Sequence, residues 1–388
     1  MPEAVIVETV RTPIGRAFKG SLKDMRSDDL GGHVIRALME RVPELPPGDV
    51  VDVICGTANE SGEQAMNLGR LVGALGGLPD VVAGTTVNRF CASSLQAVRM
   101  AHHAIVAGAG DTFVAAGVEC VSRVAGRDFE ESDKNPRFTD PSRPDYVNDM
   151  YIVMGETAEN VADRWGVSRE DMDAIAVRSH TRALAAQESG FFAREIVPVT
   201  LPDGTVVDKD DHPRPGTSME GLAALRPAFR PDGRVTAGNA CPLSDGAAAV
   251  LVTSAEKAAA LGVRPRARII ASAVSGLAPE IMGVGPIEAV GRVLAMAGMT
   301  IDDVDVVELN EAFAAQVIPV CNELGIDIDR QLNPHGGALA LGHPFGMTGA
   351  RIMGTLLNDL ETLDATIGLE TMCIGGGQGM AMLVERLS

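Results

Sequence analysis

The feature that most constrains the fold is an order of segments that occurs twice. Residues 49–60 (DVVDVICGTANE) are an apolar run with a small polar tail. Residues 85–101 (TTVNRFCASSLQAVRMA) follow with an apolar run, a turn of small residues and a helix-forming stretch. Residues 303–316 (DVDVVELNEAFAAQ) and 336–354 (GGALALGHPFGMTGARIMG) repeat that order at similar spacing. A repeated supersecondary order implies two halves with one fold.

Short β-branched or apolar runs elsewhere fit the same scheme. They are Ala4–Val7, Val50–Ile54, Thr112–Ala116, Ala248–Val252, Ala267–Ala271, Val304–Glu308 and Met380–Val384. Alanine-rich stretches at Asp29–Arg41, Leu95–Ala107 and Ile287–Ala297 separate many of them. Strands alternating with helices predict an α/β architecture with largely buried sheets. A chain of 388 residues exceeds one simple domain, and 46% hydrophobic residues are enough to fill more than one core. From about residue 122 to 238 the chain turns charged and rich in Pro, Asp and Arg, with helical patterns at Ala158–Arg164 and Arg169–Ser189. That stretch reads as a large insertion covering a site. The expected division is 1–120 completed by the strand within 240–262, an inserted domain at 121–239, and a second half at 263–388.

Several classes of function are disfavoured. A net charge of −19 opposes nucleic-acid binding, which needs basic patches. The six cysteines, at 55, 91, 120, 241, 321 and 373, form no C-x-x-C pair, so no metal site is expected. They read as reduced thiols of a cytoplasmic protein. The short run Ala4–Val7 reads as a first strand and not a secretion signal, and no apolar stretch is long enough to insert in a membrane.

Four segments carry chemistry. Cys91 stands between an apolar run (Val81–Val87) and a helix, where the helix N-terminus favours a thiolate and lowers a thiol pKa. A buried structural cysteine is the plain alternative. His343 is framed by glycines 336, 337, 342, 346 and 349, which suits a base held on a tight loop or a histidine satisfying local backbone. Cys373 precedes Gly375–Gly376–Gly377, whose N–H groups could hold an oxyanion or simply turn a hairpin. Dinucleotide binding is excluded there, because a strand-like run replaces the required helix. Asn310 closes an apolar run and could be an N-cap or aim its amide at a bound group.

Taken together, NRFCASS, TAGNACPLSDGAAAV, NEAFAAQ, GGALALGHPFGMTGAR and CIGGGQG resemble the thiolase family along essentially the whole chain. The resemblance implies a duplicated α-β-α-β-α layered fold with an inserted loop domain. It implies that Cys91 takes the acyl group, His343 accepts its proton and Cys373 protonates the leaving acetyl-CoA carbanion. Asn310 with His343 would hold one oxyanion hole through a water, and the N–H groups of Cys91 and Gly375 a second. Coenzyme A is implied as co-substrate, with no permanently bound cofactor. Arg214 would contact its nucleotide end, and Leu225, Ala228, Phe229, Ala237, Gly238 and Leu243 would wall it. Met154 and Phe313 would border the acyl end. A homodimer or homotetramer is implied.

The reaction expected from the resemblance is thiolysis of 3-ketoacyl-CoA to acetyl-CoA and a shortened acyl-CoA, as in fatty-acid β-oxidation. Condensation of two acetyl-CoA molecules is the alternative. A decarboxylating ketoacyl synthase and a non-catalytic CoA-thioester scaffold are weaker ones. Three positions depart from the family pattern. Ala92 follows the nucleophile where glycine is usual, and is expected to narrow the approach slightly. Val153 stands where short-chain biosynthetic members carry His. His335 stands where many members have Asn, and reads as structural.

Overall fold

The computed structural model describes residues 2–126 and 129–387, so positions 1, 127, 128 and 388 of the expected segments lie outside it. Nine strands form the main sheet: β1 (Ala4–Arg11), β2 (Asp52–Gly56), β3 (Ala83–Val87), β4 (Thr112–Cys120), β5 (Ser244–Ser254), β6 (Ala267–Gly276), β7 (Val306–Leu309), β8 (Ile367–Ile374) and β9 (Gln378–Arg386). Their spatial order is β7-β8-β9-β6-β1-β5-β4-β2-β3, with the two-residue strand Gly15–Arg16 paired to the side of β5. The eight longest helices are α1 (Ser27–Arg41), α2 (Leu68–Leu75), α3 (Ser93–Val106), α4 (Met154–Trp165), α5 (Arg169–Glu188), α6 (Gly285–Ala297), α7 (Ala314–Leu324) and α8 (Thr348–Thr362).

The strand order contains the duplication. In the first half β1 pairs antiparallel with β5, β5 antiparallel with β4, and β4 parallel with β2. In the second half β6 pairs antiparallel with β9, β9 antiparallel with β8, and β8 parallel with β7. Strand β3 adds parallel to β2, and a single parallel bridge from Leu332 to Val307 takes the same place beside β7. Within the main sheet the two halves meet where β1 pairs with β6, at Val5–Arg268 and Ile6–Ala267.

Alternation along the strands sets the layers, because successive side chains point to opposite faces. On β9, Met380, Met382 and Val384 face one core, while Ala381 and Leu383 face another. The first of these cores is central. It gathers Leu95, Val98 and Ala101 of α3 with Ile352, Met353 and Leu356 of α8, and apolar residues from both halves of the sheet. A second core lies under α1 and α2, and a third under α6 and α7. Helices thus flank each half and lie between them.

The insertion supplies α4 and α5. It is pinned to β1 by a buried ion cluster in which the Arg11 guanidinium meets Glu195 at 2.7 Å and Asp210 at 2.7 Å. Among the described residues no helix is long and apolar enough to cross a membrane.

Candidate active site

The duplicated wiring brings four loops together: those following β3, β7, β8 and the Leu332 bridge. After β3, Phe90 takes a left-handed φ of 46° and starts a short turn, Phe90–Ala92, from which α3 runs on. The Ser93 hydroxyl closes that turn by donating to the Phe90 carbonyl at 2.7 Å while accepting from the Arg89 N–H at 2.9 Å. Cys91 therefore sits at the helix start, as its sequence context predicts.

Its thiol does not follow the expected direction. Burial pushes the Cys91 thiol up to about 11, with the nearby Glu119 carboxylate adding to the rise. The backbone N–H groups of Gly375 and of Cys91 itself act on the sulfur in the opposite sense and fall short. Desolvation exceeds what a few N–H groups return. Ala92 also departs from expectation. It is fully buried in the central core, so its methyl packs inward and does not narrow the approach.

His343 is held on both sides. Its Nδ1 lies 2.6 Å from the Thr348 hydroxyl, and that hydroxyl lies 2.8 Å from the Pro344 carbonyl oxygen. The hydroxyl has one proton and spends it on Pro344, so it accepts from the ring. The network assigns the Nδ1–H tautomer and leaves an Nε2 lone pair. That Nε2 is 3.3 Å from the Asn310 amide nitrogen. Burial, with the Arg351 charge adding to it, lowers His343 to about 3, so it is neutral near pH 7. Gly342 beside it has a φ of 97°, and a methyl there would fall 2.5 Å from the Ser244 Oγ. Only glycine fits this loop.

Cys373 ends β8 and is fully buried. Burial raises its thiol well above the usual range, and the Cys91 charge adds to this while Gln316 opposes it. The half-buried Cys241 is likewise raised by burial and by Cys91. Three thiols thus share one neighbourhood, of which the sequence singled out two.

Glu119 near the end of β4 braces the His343 loop. Its carboxylate accepts from Ala58 N–H at 2.8 Å, Asn59 Nδ2 at 3.1 Å, Gln64 Nε2 at 2.8 Å and Gly346 N–H at 2.9 Å. It ties the loop after β2 to the His343 loop.

Two cavities adjoin the thiols. One, of 290 Å³, is lined by Cys91, Gly375, Met154, Phe90, Met150 and Phe345 among others. The other, of 380 Å³, includes Arg214, Ala228, Phe229, Ala237, Leu243 and Cys241 in its wall, along with the cations Arg16 and Lys19. Phe229 packs against Gly155, next to Met154, so the two cavities are neighbours. Of the expected wall residues, Leu225 and Gly238 pack on each other outside this lining, and Phe313 lies behind Phe229, ring edge to face at 6.3 Å. Val153 is exposed at the start of α4. His335 meets Asp359 at 2.5 Å and stacks on Phe191, with centroids 3.6 Å apart, a structural placement. Sequence reasoning missed Arg16, Lys19, Glu119, Cys241, Gln316, Phe345 and Thr348. Only the basic pair Arg16 and Lys19, next to Gly15 and Gly20, offered a local signal.

The thiolase N-terminal domain model matches residues 4–256, and the thiolase C-terminal domain model matches residues 263–386. A β-ketoadipyl-CoA thiolase of Acinetobacter baylyi is 47% identical, with 100% of both chains covered. A 3-ketoacyl-CoA thiolase of a Shewanella strain is 46% identical, again over 100% of both. The crystal structure of the Bacillus anthracis acetyl-CoA acetyltransferase superposes with a TM-score of 0.91 at 38% identity, covering 100% of this chain and 99% of that one.

Proposed function

The chain belongs to the thiolase family of acyl-CoA acyltransferases, and on that premise we propose that it cleaves a 3-ketoacyl-CoA with coenzyme A through an acyl-enzyme on Cys91. The observation that carries this reading is that Cys91 at the start of α3 and Gly375 after β8 line one cavity, with the N–H groups of both favouring negative charge on the Cys91 sulfur. A carbonyl attacked by that sulfur develops its negative oxygen beside two backbone donors.

The roles follow from the geometry. A thiol raised to about 11 is mostly protonated near pH 7, so it needs a base as it attacks. Neutral His343, with its Nε2 lone pair free of a proton, is suited to that task. Attack forms a carbon–sulfur bond at the keto carbon, and collapse breaks the bond to the acetyl-CoA carbon. Cys373 gives its proton to that carbon. Coenzyme A then attacks the Cys91 thioester and releases the shortened acyl-CoA. Arg16, Lys19 and Arg214 supply positive charge for the phosphates of coenzyme A, and the neighbouring apolar wall suits its pantetheine arm.

Apart from Asn59 and Tyr151, the described residues lining the cavity at Cys91 are apolar or glycine beyond the cysteine itself, with no lysine or arginine among the described residues, which favours an uncharged acyl chain as in β-oxidation. A second reading is a chain ending in a carboxylate. It is favoured by the relatives named β-ketoadipyl-CoA thiolases, with Asn59 and Tyr151 as the polar groups in the cavity. Initial thiolysis rates across a ladder of 3-ketoacyl-CoA lengths, set beside 3-oxoadipyl-CoA, separate the two. Replacing Cys91 with Ala tests the mechanism itself, and undiminished thiolysis overturns it.

A further inference from the structure

Gln316 lies in the first turn of α7, is fully buried, and turns its amide onto the Cys373 sulfur. Its Nε2 is 3.1 Å from Sγ and its Oε1 is 3.2 Å from the same atom. The amide is therefore end-on, with donor and acceptor nearly equidistant from the sulfur. The second N–H of Nε2 reaches the Asn310 carbonyl oxygen at 3.3 Å. Gly283 leaves room for this arrangement, since a methyl there would come 3.3 Å from Oε1 and 3.0 Å from Cβ of Gln316. The amide is a fixed part of the wall, linked to the backbone of Asn310.

A thiol and a thiolate want opposite partners. The S–H form donates and needs an acceptor, whereas the thiolate accepts and needs a donor. A carboxylate would favour the first and an ammonium the second. A carboxamide offers both from one plane, without moving. That suits a sulfur that loses its proton to the acetyl-CoA carbon and regains one from the thiol of the incoming coenzyme A.

We propose that Gln316 is a positioning residue for the reaction, its amide set end-on to Cys373 so that one side chain serves both protonation states of the acid/base thiol. This rests on Cys373 being that thiol, and the test keeps the two claims apart. The readout is exchange of the acetyl-CoA methyl protons with deuterated solvent across pH, which requires the base at Cys373. Acetylation of Cys91 by p-nitrophenyl acetate serves as the control, because its leaving group needs no proton. Gln316→Met keeps the volume and removes both hydrogen bonds. It is expected to slow exchange about 10- to 100-fold and to move the exchange profile to higher pH, with Cys91 acetylation close to wild type. Gln316→Glu puts a negative charge beside the thiolate and is expected to move the profile to higher pH as well. An unmoved profile in both variants overturns the proposal, as does a loss of Cys91 acetylation in step with exchange. If Cys373→Ala keeps wild-type exchange, the acid/base reading of Cys373 fails, and the role of Gln316 with it.

Discussion

The Thr348 hydroxyl stands 2.6 Å from Nδ1 of His343 and is committed as a donor to the Pro344 carbonyl at 2.8 Å. This short chain decides which ring nitrogen carries the proton. The Asn310 amide nitrogen, a donor 3.3 Å from Nε2, favours the same tautomer through a longer contact.

Thr348→Val keeps the shape of the side chain and removes the acceptor. A buried donor left unpaired costs about 1–3 kcal/mol, so kcat/KM for thiolysis is expected to fall about 5- to 150-fold. Thr348→Ser restores the hydroxyl and is expected to recover most of the loss. Valine and serine variants with equal activity would show that the tautomer is held by something else.

Cys91 gives a pH prediction with a definite sign. Its thiol is raised to about 11, so the thiolate fraction in the free enzyme keeps growing through the neutral and mildly alkaline range. Alkylation of Cys91 by iodoacetamide, followed by peptide mass spectrometry, is expected to accelerate about tenfold per pH unit from neutrality upward. A plateau already near neutral pH would mean that the N–H groups of Cys91 and Gly375 outweigh burial.

The contrast between these two residues shows what the sequence could and could not carry. Cys91 at a strand-to-helix turn is a local pattern, and so are the glycines that frame His343. The repeat that pairs their two loops is visible because it is written in strand and helix periodicity. The direction of the Cys91 shift is not local, because it depends on how much protein packs over the sulfur. Gln316 reaches Cys373 across 57 positions, and Glu119 reaches Gly346 across 227. Contacts of that range leave no periodic trace in one sequence. In the sequence Ala92 is defined by its neighbour Cys91, whereas in the fold its surroundings are the central core.

The buried ion cluster at Arg11 is expected to be costly to break. Arg11 is 1% exposed, and Arg11→Met leaves the Glu195 and Asp210 carboxylates buried without their cation. Removing one partner of a buried pair costs about 3–5 kcal/mol. The exposed Arg292–Glu288 pair on α6, at 2.8 Å, is a suitable contrast, and Glu288→Ala is expected to cost under about 1 kcal/mol. Urea denaturation of both variants checks the ranking. Equal losses would mean that the ion cluster does not fasten the insertion to β1.

The neutral His343 also predicts how stability depends on pH. Its folded value of about 3 lies below the ordinary histidine value of 6.5, so at pH 5.5 the unfolded chain binds a proton that the folded chain refuses. Stability therefore falls as pH drops below about 6.5, and this residue alone removes about 1.4 kcal/mol by pH 5.5. The loss continues down to the folded value and then stops. His343→Gln removes the titrating group, so its urea midpoint is expected to fall less steeply between pH 7 and pH 5 than that of the unaltered protein, by up to about 1.4 kcal/mol per pH unit in the underlying free energy. Parallel curves for the two proteins would mean that His343 takes up its proton equally in both states, and that its ring is not the neutral base assigned here.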